Sequence, residues 1–240
     1  MTHKTKILVA DDEPNIRMFV RANLMVRGYD VYLAKDGAET LDMAERVLPE
    51  LIILDINMPV IDGIEVCRRI RAWGNMPIIV LSVRGDEHDK VRALNEGADD
   101  YITKPFGIEE LLARVRVALK HAAGHEVASS VLTAGDLEVD LSKRLVKRQG
   151  RIVKLTPTEF KLLEYLICNP GKVFSHSDLL HNVWGPDYGG EREYVRVFIG
   201  QLRHKIEDDP MNPRFIVTEP RMGYRFIKPD VNKREFKKPS

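Results

Sequence analysis

The chain has 240 residues, of which 44% are hydrophobic and 30% are charged, and its formal net charge is +1. This composition is typical of a soluble globular protein, and the length favours two domains. The two cysteines, Cys67 and Cys168, lie far apart, which excludes a disulfide framework and predicts reduced thiols in a cytoplasmic protein. No signal peptide is expected, because the N-terminus MTHKTKILVADDEP turns acidic right after a short apolar run. No membrane helix is expected, because no apolar stretch approaches the ~20 residues of a membrane span.

The first half of the chain alternates short apolar strands with amphipathic helical segments. Repeated β-α units predict an α/β domain with a parallel sheet covered on both faces, and five such units most simply give a doubly wound sheet of order 2-1-3-4-5. The predicted strands are Ile7–Ala10, Val31–Ala34, Leu51–Asp55, Pro77–Ser82 and Asp100–Thr103. The predicted helices lie near residues 14–27, 37–48, 62–73, 87–96 and 107–120.

A change of pattern divides the chain into two domains, which we place at residues 1–121 and 131–230. Residues 122–130 are small and polar apart from Val127 and predict an exposed linker. Residues 231–240 are polar and basic and predict a disordered tail. Residues 1–121 are slightly acidic, which suits a cation site in the first domain. The remaining residues are slightly basic, which suits a polyanion as the partner of the second domain.

The second domain is predicted to be a winged helix-turn-helix, because three helices are followed by a hairpin. The predicted elements are strands over roughly 132–155, a helix after Thr156, a helix after Ser175, a helix over roughly 191–207 and a hairpin with Gly223 near its turn. Asp178 is spaced to form a capping box with Ser175 at the start of the second helix.

Five polar side chains stand where the predicted parallel strands end. They are Asp11, Asp12, Asp55, Ser82 and Lys104. Because the carboxyl ends of parallel strands meet at one edge of a sheet, we expect these groups to gather there. Carboxylates with a hydroxyl and an ammonium predict a cation-assisted phosphoryl site, in which Lys104 balances a phosphoryl oxygen and Ser82 donates a hydrogen bond to another.

Mg²⁺ is the predicted cofactor of this site, because it takes oxygen ligands and keeps several waters. Asp12 and Asp55 would be direct ligands, whereas Asp11 would act mainly through a bound water. A backbone carbonyl near Asn57 would complete the protein's share. Without a cation such a cluster would be unfavourable, because like charges raise one another's pKa.

Four segments in this order, ILVADDEP, LIILDINMPVIDG, PIIVLSVRG and GADDYITKPF, resemble the receiver domain of two-component response regulators across residues 6–120. The resemblance implies that Asp55 accepts a phosphoryl group from a sensor histidine kinase in a Mg²⁺-dependent reaction. It also implies a switch in which Ser82 turns toward the phosphate and Tyr101 swings inward. The peptide bond between Lys104 and Pro105 would be cis.

A possible dimer face lies in the last two β-α units. Its charged residues are Lys90, Asp99, Asp100, Glu110 and Arg114. On physical grounds alone such charges are usually a solvated face. Resemblance to the OmpR/PhoB subgroup implies instead that this face dimerises, with Lys90–Glu110 and Asp100–Arg114 as intermolecular pairs. The subgroup usually has an arginine near position 121, where this chain has His121, so the corresponding pair with Asp99 would depend on pH.

The third helix of the second domain combines an apolar and a basic face. Its core-facing stripe is Val195, Ile199, Leu202 and Ile206, and its arginines are Arg192, Arg196 and Arg203. By itself this pattern fits either an ordinary charged surface helix or a helix in the major groove, where arginine contacts guanine edges or phosphates.

The flanking segments LTPTEFKLLEYLICNPGKVFSHSDLLHNVWG and TEPRMGYRF resemble the OmpR/PhoB winged-helix effector across residues 131–228, nearest to KdpE-like members. The resemblance implies a helix in the major groove and a wing near the backbone or minor groove. The implied DNA contacts are Arg192, Tyr194, Arg196, Gln201, Arg203, His204, Thr218, Arg221 and Tyr224. The chain departs from many relatives at Gly200, where they have arginine, and at Pro220, where the basic residue of the wing usually stands.

These observations favour a phosphorylation-controlled transcription factor. Asp55 would accept the phosphate, the receiver face would dimerise, and two winged helices would bind adjacent tandem half-sites with a gain from effective concentration. The tandem arrangement of the sites and RNA polymerase as a further partner are implied by the resemblance to the OmpR/PhoB family. An aspartyl phosphatase is an alternative, but such enzymes usually have a carboxylate two residues after the nucleophile, where this chain has Asn57. A constitutive DNA-binding protein is a third reading, against which the intact pocket argues.

Overall fold

The computed structural model describes residues 4–83, 87–123, 131–186, 188 and 192–228. The chain divides into two units, an N-terminal one that comprises the residues up to Ala123 together with Thr156–Thr158, and a C-terminal one that comprises the remaining later residues. Apart from its first two residues, the predicted linker at 122–130 lies outside the described residues, and so does the whole predicted tail at 231–240. Within the described ranges no helix has the length and apolar character to cross a membrane.

The N-terminal unit is the α/β fold expected from the sequence. Its strands are β1 Lys6–Ala10, β2 Asp30–Ala34, β3 Leu51–Asp55, β4 Ile78–Val83 and β5 Asp100–Lys104. Its helices are α1 Pro14–Val26, α2 Gly37–Val47, α3 Gly63–Trp73, α4 Glu87–Asn95 and α5 Ile108–Ala123. All strand pairs are parallel and the order is β2-β1-β3-β4-β5, which confirms the predicted topology. Helix α5 continues through the first two residues of the predicted linker.

Local sequence explains where these elements begin. The side chains of Asp36 and Asp62 accept hydrogen bonds from the backbone N–H groups of Glu39 and Glu65, at 2.8 and 2.7 Å, and so start α2 and α3. Every residue of β3 is buried, as expected for a central strand with helices on both faces. Strands β1, β3 and β4 are buried in the centre of the sheet, so their positions are fixed by the core. Polar residues of the predicted site stand at the carboxyl ends of these strands.

Helix α3 begins in close contact with the end of β3. The N–H of Gly63, its first residue, donates to the carbonyl of Ile56 at 2.9 Å. A Cβ atom at Gly63 would overlap the backbone carbonyl of Asp55. Only glycine therefore allows this approach, and the contact fixes the backbone that carries the Asp55 side chain.

The two thiols are expected to differ in reactivity. Cys67 on α3 is buried, its thiol donates to the carbonyl of Glu96 at 3.4 Å, and burial raises the pKa of that thiol to about 12. Cys168 is exposed. We predict that a disulfide reagent at pH 8 titrates one thiol per native chain and two after unfolding. Cys168→Ser should remove the reactive thiol of the native protein, and rapid labelling of that variant would contradict the prediction.

The C-terminal unit begins with a four-stranded antiparallel sheet and continues with helices and a hairpin. The sheet consists of β6 Val131–Ala134, β7 Leu137–Asp140, β8 Leu145–Arg148 and β9 Arg151–Val153. The later elements are α6 Pro157–Ile167, β10 Val173–Phe174, α7 His176–Leu179, α8 Arg192–Ile206, β11 Ile216–Glu219 and β12 Gly223–Phe226. The predicted helices and hairpin are all present. We call the β11–β12 hairpin, Ile216–Phe226, the wing.

Two features of this unit were not expected. Helix α7 continues as a π-helical turn over Leu180–Trp184. The two-residue strand β10 joins the wing in a sheet of order β10-β12-β11, and a Cβ atom at Gly223 would overlap the carbonyl of Phe174. Two residues are too few to show a period in sequence. The predicted capping box is confirmed, because the Ser175 hydroxyl and the Asp178 carboxylate each accept from the other's N–H.

Candidate functional site

The carboxyl ends of β1, β3 and β5 bring two carboxylates and one ammonium into contact. Lys104 Nζ lies 2.8 Å from Asp11 Oδ2 and 3.2 Å from Asp55 Oδ2. The carboxylates of Asp11 and Asp55 are almost completely buried. Glu13, which the sequence interpretation did not include, places Oε1 3.6 Å from the same ammonium at the exposed rim. Three of the five side chains expected at this edge of the sheet, Asp11, Asp55 and Lys104, are thus in contact.

This cluster has the composition of a site for a hard cation. Carboxylate oxygens of Asp11, Asp12 and Asp55 lie within 4.8 Å of one another, and Asp12 is the exposed member. Asp55 Oδ1 is buried and has no hydrogen-bond partner among the residues that the structure describes. A buried carboxylate oxygen of this kind is costly unless something else binds it, and oxygen ligands are those that Mg²⁺ prefers. The residues present therefore fit Mg²⁺.

The electrostatics of the pocket favour a further positive charge. Burial raises the pKa of Asp55 above its usual value, and the nearby Asp11 carboxylate raises it further, although Lys104 lowers it. Burial by itself lowers the pKa of Lys104, but its bonds and attraction to Asp11 and Asp55 outweigh this effect and leave that pKa raised. Lys104 is therefore charged at neutral pH and available to hold an anionic group beside Asp55.

The two residues assigned to the switch lie on β4 and β5. Ser82 is buried, and its hydroxyl has no hydrogen-bond partner among the described parts of the chain. Tyr101 is half-buried, and Lys90 Nζ lies 4.7 Å from the centre of its ring, which is a cation–π contact. The peptide bond between Lys104 and Pro105 is cis, as expected.

The basic face of α8 is only partly exposed. Arg196 is exposed, and its Nη1 lies 2.7 Å from Glu193 Oε1, while Nδ1 of the exposed His204 lies 2.8 Å from the Gly200 carbonyl oxygen. Gln201 is half-buried. The Arg192 side chain lies outside the described part of the structure. Two surface positions on this helix, Arg196 and His204, are thus open to a ligand.

The other predicted DNA contacts are two exposed residues of the wing and two buried tyrosines. Thr218 and Arg221 are exposed on the wing, whereas Tyr224 is 7% exposed and Tyr194 is 1% exposed. The Tyr194 ring lies 5.9 Å from that of Trp184. Tyr194 stands on the flank of the apolar stripe of α8 and is drawn into the core. Tyr194 is therefore not among the side chains that the structure exposes to a ligand, and its contact with DNA stays a prediction.

Comparisons with known proteins agree with both halves of this geometry. A family model of the response regulator receiver domain matches residues 7–116, and a model of the C-terminal part of transcriptional regulatory proteins matches residues 149–226. The chain is 48% identical to the transcriptional regulatory protein KdpE of Mycobacterium tuberculosis, over 92% of this chain and 99% of that protein. It is 44% identical to the KDP operon transcriptional regulatory protein KdpE of Escherichia coli, over 93% of this chain and 99% of the relative.

The chain is a response regulator. It belongs to the OmpR/PhoB type, in which a receiver domain precedes a DNA-binding transcriptional regulatory domain. Among solved structures the regulator is similar to a mutant of RitR, with a TM-score of 0.75 and 26% identity over 94% of this chain and 100% of that one. As a member of this family the regulator is a phosphoacceptor and a transcription factor, and not an enzyme.

The expected dimer face of the regulator is occupied by bonds within the chain. Arg114 Nη1 lies 3.0 Å from Asp100 Oδ1, and Arg114 Nη2 lies 2.8 Å from Glu110 Oε1. Asp99 is buried, with Oδ2 accepting from Arg71 at 2.8 Å and from the N–H of Ile78 at 3.0 Å. An intermolecular pair at Asp100 would therefore have to compete with the existing bond to Arg114.

Sequence reasoning missed Glu207, the residue that follows α8. Its buried carboxylate accepts hydrogen bonds from three successive backbone N–H groups, at 2.8 to 2.9 Å. The donors are Arg214, Phe215 and Ile216. A glutamate after a helix looks like an ordinary surface charge in sequence, and only the return of the chain in β11 gives it this role.

We predict that Glu207→Gln lowers the free energy of unfolding of the C-terminal unit by roughly 2 kcal/mol, because it replaces charge-assisted bonds and turns an amide NH₂ toward backbone donors. Chemical denaturation followed by far-UV circular dichroism measures this change. Glu193→Gln, which alters an exposed glutamate on α8, should cost less than about 0.5 kcal/mol. Equal effects of the two substitutions would contradict the prediction.

Proposed function

We propose that Asp55 accepts a phosphoryl group from the phosphohistidine of a sensor kinase. An Asp55 oxygen attacks phosphorus and the P–N bond breaks, leaving the electron pair on the imidazole. The observation that supports this most strongly is the buried Asp55 oxygen without a partner among the described residues, beside the Lys104 ammonium. The carboxylates of Asp11, Asp12 and Asp55 and the carbonyl of Asn57 would hold Mg²⁺, which neutralises the oxygens of the transferring group.

The chain's own residues then carry the signal. Lys104 binds one phosphoryl oxygen as a point charge, and the Ser82 hydroxyl donates to another. The turn of Ser82 toward the phosphate leaves room for the Tyr101 ring to move inward. That movement takes Tyr101 away from Lys90, so Lys90 becomes available for an ion pair with Glu110 of a second protomer.

An apolar surface beside the pocket is a candidate docking site for a protein partner. A cleft of about 470 Å³ opens next to Lys104, with Ile16, Phe19 and Phe106 among its lining residues. Phe19 is 48% exposed and the neighbouring Met18 is 54% exposed. Contiguous apolar surface next to a reactive group is typical of a protein interaction site, and the sensor kinase is the partner that must reach Asp55.

In the active state we propose a homodimer through the face of Lys90, Asp99, Asp100, Glu110 and Arg114. Dimerisation places two winged helices on tandem DNA half-sites, where RNA polymerase is a further partner. Arg192, Arg196, Gln201 and His204 of α8 would face the major groove, and Thr218 and Arg221 would approach the backbone or minor groove. We further propose two domains at residues 1–123 and 131–230, in which the end of α5 at Ala123 moves the first limit from the predicted residue 121. A linker between them and a cytoplasmic location belong to the same proposal.

The proposal is tested by binding of the full chain to DNA duplexes selected from a random pool by the protein itself. Acetyl phosphate with Mg²⁺ should increase the apparent affinity by roughly tenfold or more, because dimerisation raises the effective concentration of the second winged helix. Chelation of Mg²⁺ before phosphorylation should remove the increase. Binding should also weaken steeply with added salt. Equal affinity of phosphorylated and unphosphorylated protein, with phosphorylation verified by mass, would overturn the proposal.

A further inference from the structure

Arg203 on α8 is bonded to the wing. Its Nε and Nη2 donate to the carbonyl of Ile216 at 2.9 and 2.7 Å, and Nη2 also donates to Thr218 Oγ1 at 2.8 Å. The guanidinium carbon lies 5.8 Å from the centre of the Tyr224 ring. The planar group therefore contacts both strands of the wing, through bonds to β11 and through the face of a tyrosine on β12.

Glu207, one helical turn later, holds the same strand from its donor side. It accepts from the N–H groups of Phe215 and Ile216, while Arg203 donates to the Ile216 carbonyl. Two side chains of opposite charge, Arg203 on α8 and Glu207 just after it, thus bind the C=O and the N–H of a single residue, Ile216. The start of the wing cannot slide along α8 without the loss of one set of these bonds.

We infer that Arg203 is a positioning residue that sets the wing at a fixed place relative to α8, and that it contributes to DNA binding through the wing. The inference rests on the proposed DNA contacts of the wing. Thr218 pairs with Tyr224 and Glu219 with Gly223 in the hairpin ladder. A displacement of β11 at Ile216 or Thr218 therefore also moves the turn of the hairpin that carries Arg221.

This role differs from the direct DNA contact expected from the arginine spacing on α8. A direct phosphate contact needs only a positive charge, which lysine supplies. The bonds to Ile216 and Thr218 need a planar fork with several donors in fixed directions, which lysine does not supply. Arg203→Lys therefore separates the two roles, because it keeps the charge and removes the geometry.

The first test measures hydrogen exchange of the wing amides in the free full-length protein. Arg203→Lys should reduce their protection by about tenfold, while the amides of β3 in the receiver keep theirs. Arg196→Lys, on the same helix but paired only with Glu193 in the described contacts, is the matched control and should leave the wing unchanged. Unchanged protection of the wing in Arg203→Lys would overturn the inference.

The second test is a double-mutant cycle on the selected DNA duplex. Arg221→Ala should weaken binding roughly tenfold in the wild type but less than about twofold in Arg203→Lys, because the wing is already misplaced there. A full effect of Arg221→Ala in both backgrounds would overturn the inference. No effect of Arg221→Ala in the wild type would overturn the proposed wing contact and the DNA half of the inference with it, while the exchange measurement alone decides the bond to the wing.

Discussion

Replacement of Asp55 by asparagine is expected to abolish the incorporation of phosphate from acetyl phosphate. The amide has no nucleophilic carboxylate oxygen, so labelling should fall by at least about 100-fold. The fold should survive, because Asp55 is buried next to Asp11 and its raised pKa means that the ionised side chain opposes folding. Intact-mass spectrometry after incubation with acetyl phosphate and Mg²⁺ measures the change, and thermal unfolding verifies the fold.

Asp42→Asn is the matched control for this experiment, since it removes an exposed carboxylate on α2 that is not a member of the acidic cluster. Its labelling should equal that of the wild type. If Asp55→Asn still took up phosphate, the acceptor would be another residue and the assignment of the pocket would be wrong. If it lost labelling but still dimerised in response to acetyl phosphate, the link from Asp55 to dimerisation would be wrong.

Gly63→Ala is expected to destabilise the receiver strongly. The added methyl group overlaps the backbone carbonyl of Asp55, so helix α3 or the end of β3 must move. Overpacking against backbone costs about 3 kcal/mol, and the movement also displaces the Asp55 side chain. We therefore predict a loss of about 3 kcal/mol in the free energy of unfolding together with a lower rate of phosphorylation at temperatures where the variant is folded.

Gly107→Ala provides the control, because a Cβ atom at Gly107 meets no heavy atom within 4 Å. Gly107 precedes α5 and lies three residues after Lys104, so it is also near the pocket in sequence. Its substitution should change the free energy of unfolding by less than about 1 kcal/mol. Similar losses in the two variants would show that the effect comes from chain entropy and not from the contact with Asp55.

The fold of the receiver was predictable from sequence because its strands and helices alternate regularly and each leaves a local pattern of apolar residues. Each apolar run ends at a polar residue, and parallel pairing brings all such ends to the same edge, so Asp11, Asp55 and Lys104 meet whatever the details of packing. Helix starts were equally predictable where a side chain caps its own helix, as Ser175 and Asp178 do. The strand order also followed from repeated β-α units, whose connections leave few alternatives.

In the C-terminal unit, the directions of individual side chains on α8 could not be predicted from the sequence. Spacing on α8 grouped Arg203 with Arg196, and it could not show that one guanidinium turns to the wing while the other is exposed. Tyr194 likewise has a polar end and a place beside the arginines, yet its ring packs on Trp184. These outcomes depend on which element covers each face of the helix.

The sequence by itself determined the order of the strands, the acidic residues at the edge of the sheet and the division into two domains, because these follow from residue type and period along the chain. The names of the two domains, a receiver and a DNA-binding domain, came from the resemblance of their motifs to a known family. Only the tertiary structure decided that Arg203 and Glu207 hold the wing and that Asp100 is bonded to Arg114 of its own chain. The physical reason is that such bonds join residues on different elements, whose approach is set by the packing of whole elements and leaves no periodic pattern in the sequence.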